Sequence, residues 1–176
     1  MSNMYQCPYC GKMPRYEEFR HQFPHQYNPY TSQPKTNRPI ILKDYGADPF
    51  VVDIEEATKQ NNNFRLALWT GSYLQLTLMS INVGEDIGLE IHTDLDQFIR
   101  IEEGQGLVKM GDRKDRLDFQ ANVRDDFAFV IPAGKWHNLI NTGNKPLKLY
   151  SIYAPPQHPY GTVHQTKEDA DDHNGY

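Results

Sequence analysis

The chain has 176 residues, 18 Lys and Arg against 23 Asp and Glu, and a formal net charge of −5. That length suits one domain, and 38% hydrophobic residues supply one real core, which excludes a wholly disordered chain. The mild acidity argues against a general nucleic-acid binder, which would carry a basic stripe or patch. No uncharged apolar run approaches the roughly 20 residues of a membrane helix. The stretch from Met1 to Cys7 lacks a charged region followed by an apolar one, so no secretory signal is expected. Two cysteines three apart do not staple a secreted fold. The expectation is a soluble, cytoplasmic protein with neither a nucleic-acid nor a membrane partner.

Residues 1–40 carry Pro8, Pro14, Pro24, Pro29, Pro34 and Pro39 among Tyr, Gln, Asn and His, and read as an extended N-terminal arm with a charge of +3. Within it, Cys7-Pro8-Tyr9-Cys10-Gly11 is similar to one knuckle of a zinc ribbon, with no second cysteine pair. His21 and His25 follow near a two-Cys, two-His spacing, although Pro24 would disrupt the helix that usually carries such histidines. Cys7, Cys10, His21 and His25 are therefore a candidate second metal site, with a redox pair and an incidental or intermolecular pair as the other readings.

Residues 41–155 hold most of the regular pattern, with 12 basic residues against 17 acidic. A short helix is predicted over 54–60, where Asp53 can cap the N-terminus and Glu56 complete a capping box. The period then changes to two, in Leu66–Trp69, Leu74–Leu78, Gln97–Ile101 and Leu147–Leu149. Turn signals around Gly71, Gly84, Gly104, Gly111 and Gly143 separate these runs. Short strands with turns every 8–12 residues predict an all-β antiparallel sandwich or barrel. The last stretch, 156–176, is polar, lacks periodic apolar residues and is expected to fray.

The chemistry gathers between Gly84 and Gly104. Glu90 and His92 are two apart and so share one face of a strand. Gln97 begins the next strand in phase with Ile99 and Ile101, which puts a carboxamide on an apolar face where it needs a partner. Forty residues on, Pro132-Ala133-Gly134 forms a turn that launches His137, in phase with Leu139 and Asn141. Glu90, His92, Gln97 and His137 could converge on one inward face. Two imidazoles and a carboxylate are a common set for one divalent ion, zinc, iron, manganese or nickel, and Gln adds a neutral oxygen. Against this stands the plain alternative that each is a satisfied polar group.

These residues carry a resemblance. Gly84-x5-Glu90-x-His92-x4-Gln97-x6-Gly104 and Asp126-x5-Pro132-x-Gly134-x2-His137-x3-Asn141 resemble the two motifs of the cupin superfamily, G-x5-H-x-H-x3,4-E-x6-G and G-x5-P-x-G-x2-H-x3-N. The resemblance implies an antiparallel double-stranded β-helix, the jelly-roll or cupin barrel. Three positions depart from the pattern: Glu90 stands in place of the first His, Gln97 of Glu, and Asp126 of Gly. The first two nearly compensate, because the site keeps one carboxylate. Asp96 competes with Gln97, since the family spacer also allows three residues; strand phase favours Gln97. Gln, His, Glu and His are also the ligand types of type I mannose-6-phosphate isomerases, themselves built on cupin folds, though in another order.

The implied function is a metal-dependent enzyme acting on a small polar molecule, similar to those isomerases. An iron- or manganese-dependent dioxygenase and a non-catalytic binding or structural cupin are the alternatives. Lys135, Trp136, Tyr150 and Tyr153 are candidate pocket residues, with a solvated turn lysine and core aromatics as the plainer readings. Arg65 and Arg100, opposite Leu66 and Ile99, are expected to face solvent or a partner subunit. No phosphate cradle is visible in the sequence, which weakens a sugar-phosphate substrate. A sheet with open edges and an extended arm predict a homodimer.

Overall fold

The period-two runs of the central chain become strands that close into two sheets. The computed structural model describes residues 39–173, so the Cys7, Cys10, His21 and His25 set lies outside the described residues. In chain order these are α1 (Ile54–Gln60), β1 (Arg65–Thr70), β2 (Gln75–Ile81), β3 (Glu90–Ile91), β4 (Asp96–Glu103), β5 (Gln105–Gly111), β6 (Phe119–Arg124), β7 (Ala128–Ile131), β8 (Trp136–Asn141), β9 (Leu147–Ala154), β10 (Val163–His164) and α2 (Lys167–His173). One sheet has six strands in the order β10-β1-β2-β9-β4-β7, the other four in the order β3-β8-β5-β6. Their pairs are antiparallel, as the jelly-roll expectation requires. Among the described residues no helix is long and apolar enough to cross a membrane.

The six-stranded sheet is covered on both faces over β1, β2 and part of β9. Its inner face joins the four-stranded sheet in a core that includes Met79, Ile99, Ile101, Val108, Leu139 and Leu149. Its outer face carries Leu66, Leu68 and Leu78, covered by Ile40, Leu42, Tyr45, Phe50 and Val52 and by α1 through Ala57. The helix forms where the sequence places it: the Asp53 carboxylate accepts a hydrogen bond from Glu56 N at 3.1 Å and satisfies one of the free amides of the first turn. A sheet clad on both sides reads as runs of apolar residues on alternate faces. Phase alone then does not tell which face is the barrel interior.

The strand ends are held by polar side chains. Asn141, 2% exposed, donates from Nδ2 to the carbonyls of Ile81 and Lys145 and accepts from Gly143 N, each at 2.9 Å. It orders the turn, as the motif position suggests. Past Ala154 the chain does not fray over its described part, contrary to the sequence expectation. Gln75 brackets His158, accepting its backbone N–H at 2.9 Å and donating to its carbonyl at 2.8 Å. Asp44 accepts from Gly161 N at 2.9 Å and from the Thr70 hydroxyl at 2.6 Å. The chain then adds β10 to β1, and in α2 Ala170 reaches the core while the Lys167 ammonium meets Asp86. Buried polar partners anchor this tail, so an apolar periodicity test finds nothing there.

The departure at Asp126 has a visible cost. Its φ is +70°, in the left-handed region that glycine adopts freely and other L-residues resist. Asp is among the residues that tolerate it, and its carboxylate accepts a 2.8 Å bond from Arg100 at the surface. Asp126→Gly is expected to raise stability by about 0.5–1 kcal/mol, because relief of the backbone outweighs an exposed ion pair. A urea midpoint that falls instead would show the Arg100 contact to be the larger effect.

Candidate metal centre

Three short elements aim three side chains at one point. Glu90 in β3 pairs directly with His137 in β8, so both side chains stand on the same face. His92 follows two residues after Glu90, and its carbonyl accepts from Gly134 N at 2.7 Å. Gly134 takes φ +79°, the left-handed turn that reverses the chain into β8. Glu90 Oε1 lies 3.3 Å from His137 Nε2 and 3.6 Å from His92 Nε2. One ligand atom from each of the three residues lies within 4.8 Å of the others, a spacing that could hold a metal ion. The His92 and His137 rings are 5.3 Å apart, tilted by 52°.

The hydrogen-bond inventory explains what the cluster lacks. His137 Nδ1 lies 2.9 Å from the Lys135 carbonyl. A carbonyl only accepts, so Nδ1 carries the proton and Nε2 presents a lone pair. That lone pair faces a carboxylate oxygen, acceptor against acceptor. His137 Nε2, His92 Nε2 and Gln97 Oε1 are all buried with no hydrogen-bond partner. Gln97 is 1% exposed, and its Nε2 donates to the Ser151 hydroxyl at 2.9 Å, which leaves Oε1 as the free atom. Buried acceptors without donors are costly, and a cation between Glu90, His92 and His137 would satisfy the two imidazole nitrogens. Burial pushes the Glu90 carboxyl up, the charge of Arg65 draws it down, and the net direction is below the usual carboxylate range. Glu90 is therefore an anion, with 23% side-chain exposure that opens the cluster toward solvent.

The other sequence candidates divide. Asp96 is exposed, and its carboxylate accepts from Ala133 N at 2.9 Å; it caps the turn before β8 and is turned away from the cluster. Tyr153 is buried inside, its ring 5.8 Å from His92 and 5.2 Å from His158, edge-on to both. Tyr150 belongs instead to the outer core, 6.2 Å from Phe98, because it sits one residue out of phase with Tyr153. Trp136 likewise lies one residue from His137 on the opposite face, under the Lys114 ammonium at 5.5 Å. Lys135 meets Asp112 at the surface and borders a groove of about 350 Å³ whose lining includes none of the ligand cluster.

Two residues inside the barrel escaped the sequence reading. Arg65 was expected outside, yet it is 2% exposed. It pairs across β2 with Met79 of the inner core and across β10 with His164. The phase opposite Leu66 is right; the outer layer over Leu66 makes the opposite face the interior. His158, in the tail, presents a buried Nε2 without a hydrogen-bond partner. No periodicity marks it, because Gln75 places it through its backbone. Arg100, by contrast, sits at the surface on Glu102 and Asp126 as expected.

A jelly-roll barrel holding two histidines and a carboxylate inside one end defines the class, and the comparisons with known proteins agree. Residues 77–153 match the cupin domain family. The chain is 69% identical over 134 residues to the uncharacterized protein YrkC of Bacillus subtilis, covering 76% of this chain and 72% of that one. It is 43% identical over 115 residues to the uncharacterized protein L612 of Acanthamoeba polyphaga mimivirus, covering 65% and 70%. The crystal structure of BH2720 from Bacillus halodurans superposes with a TM-score of 0.74 at 68% identity, over 74% of this chain and 99% of that one. The chain belongs to the cupin family.

Burial, and next the charge of Arg65, push the His158 imidazole down to about 3, from an ordinary value of 6.5. In the folded protein it stays neutral where the unfolded chain takes up a proton. Its contribution to stability is therefore complete above pH 6.5 and is lost as pH falls from there toward about 3. The slope is at most about 1.4 kcal/mol per pH unit. His158→Gln is expected to lose less stability than the parent between pH 7 and pH 5, measured by urea unfolding. Equal losses would show that His158 is not held neutral.

Proposed function

We propose that this protein is a metal-dependent cupin enzyme in which Glu90, His92, His137 and Gln97 hold one divalent ion and which isomerises a small hydroxy-carbonyl compound. The observation that carries the reading is the cluster of Glu90, His92 and His137, whose ligand atoms lie within 4.8 Å of one another and whose two Nε2 atoms are buried without a hydrogen-bond partner. When bound, the ion would supply Lewis acidity toward a substrate oxygen. Two oxygen donors beside two imidazoles suit zinc, iron, manganese or nickel, and the hard oxygen atoms favour this role.

The chain's own groups support proton movement next to such a centre. Burial raises the Tyr153 hydroxyl, only partly offset by the Arg65 charge, so it remains protonated and able to donate. His158 is held neutral by burial and by the Arg65 charge, and its buried Nε2 has no hydrogen-bond partner. An aldose–ketose type isomerisation needs one group that takes a proton from carbon and another that gives one to oxygen. A metal-dependent dioxygenase needs neither, which is why the isomerase reading is preferred; a binding cupin without turnover is the third outcome. The homodimer is also proposed, supported by the free strand edges at β7, β3 and β6.

Metal analysis of untagged protein tests the centre. About one divalent ion per chain is expected, lost in Glu90→Ala and in His137→Ala and bound more weakly in Gln97→Ala, with folding verified by circular dichroism. Metal retained by Glu90→Ala would refute the site. The reaction is tested by incubating loaded protein with small aldoses and ketoses in deuterated water. Deuterium entering the carbon beside the carbonyl supports isomerisation. Oxygen uptake without exchange would replace it with an oxygenase, and neither with a binding protein.

A further inference from the structure

Glu90 and His137 begin a row of side chains that crosses the four-stranded sheet to its open edge. Glu90 pairs with His137, His137 with Met110 and Met110 with Phe119, and residues directly opposite in a ladder share a face. With strands about 4.8 Å apart, Met110 is one spacing from His137 and Phe119 is two, about 10 Å away. Burial falls along the row: His137 is fully buried, Met110 is 7% exposed and Phe119 is 55% exposed. Phe119 shares the inner phase yet stands open, because β6 ends its sheet. A groove of about 350 Å³ lies there, lined by Met110 and Phe119 and by Val130 and Pro132 from β7, an end strand of the other sheet, and the turn after it.

The groove adjoins the candidate metal centre through three of its lining residues. Met110 stands next to His137 in the row. Lys135 lies along the groove, and its carbonyl is 2.9 Å from His137 Nδ1. Pro132 follows Ile131, the cross-strand partner of Gln97. The volume falls in the range of about 300–1,000 Å³ typical of small-molecule sites. Its apolar surface comes from Met110, Phe119, Val130 and Pro132, and its charged groups are already matched, Lys135 by Asp112 and Asp118 by Arg116. A concave apolar surface with its charges paired suits an uncharged apolar group. An anion would have to displace Asp112 to reach Lys135.

We propose that this groove binds an apolar group of the substrate, about the size of a phenyl ring, while the substrate's oxygen atoms reach the Glu90–His92–His137 centre. Phe119 and Val130 set the preference for that group. Met110 is the wall between the two parts, and its unbranched thioether side chain adapts to a ligand that spans them. The inference rests on the metal reading of the centre for the polar half of the ligand, and on the groove for the apolar half. It narrows the substrate class from hydroxy-carbonyl compounds in general to those with an apolar substituent about two strand spacings from the metal-binding oxygens.

The test compares 3-phenylpropanohydroxamate with propanohydroxamate, which share a metal-chelating head and differ by one phenyl ring. Binding to full-length protein, zinc-loaded and chelator-treated, is read by isothermal titration calorimetry, with metal content and light-scattering mass measured in parallel. Zinc-loaded wild type is expected to prefer the phenyl compound by about ten-fold or more, as burial of one aromatic ring warrants. Phe119→Ala is expected to bring the two compounds within about three-fold of each other, with metal content and mass unchanged. If Phe119→Ala does not fold, Val130→Ala decides by the same criterion. The proposal falls if wild type shows no preference or if the deciding variant keeps it. With zinc bound, it also falls if chelator-treated protein binds the phenyl compound as tightly as loaded protein. A change of mass in Phe119→Ala would overturn it by making the groove a contact between copies. Failure to take up zinc while the chelator-treated protein keeps a Phe119-dependent preference would overturn the metal centre and leave the apolar subsite standing; with neither zinc nor that preference, both fall.

Discussion

Lone pairs that face one another in a dry interior repel, and the inner end of this barrel is organised around that repulsion. The His137 imidazole cannot turn to relieve it, because its Nδ1 proton is committed to the Lys135 carbonyl. Gln97 cannot offer its amide nitrogen, which is committed to Ser151. Glu90 is held below the usual carboxylate range despite its burial, with the Arg65 charge drawing it down. The first two contacts leave buried acceptors without donors, and Glu90 Oε1 lies 3.3 Å from that of His137. A folded state that buries polar groups in this way would regain the cost if a cation joined them, which would couple ion binding to barrel stability.

The strands that supply these groups show how position and chemistry meet. β3 has two residues, and its pairing sets Glu90 directly against His137. The turn at Gly134 ties the carbonyl of His92 to the start of β8. A shift of one residue in either strand would exchange Glu90 for Ile91 or His137 for Trp136. Ile91 and Trp136 pair on the opposite face, which is why the tryptophan next to a ligand histidine is no part of the centre.

Much of this was legible in the sequence, and the reasons for the remainder are physical. Period-two alternation located the central strands, and the Pro-x-Gly turn located β8. The phase of Gln97 with Ile99 and Ile101 chose it over Asp96 as the inward side chain. Phase fails where a sheet is covered twice. Leu66 and Leu78 face an outer layer built from residues 40–57, so the polar residue opposite Leu66 is the one inside. The tail was unreadable for a different reason: Asp44 and Gln75 hold it through hydrogen bonds to its backbone, and such anchors leave no periodic trace. His158 therefore reaches the interior from a segment that looks like solvent-exposed chain.

The account stands on which atoms surround the ion, and X-ray absorption on zinc-loaded full-length protein measures them directly. The expected spectrum has only nitrogen and oxygen neighbours at about 2.0–2.2 Å, with the outer-shell scattering of two imidazoles from His92 and His137. Sulfur neighbours at about 2.3 Å would instead place the zinc on the Cys7 and Cys10 pair. That result would contradict the barrel as the metal centre.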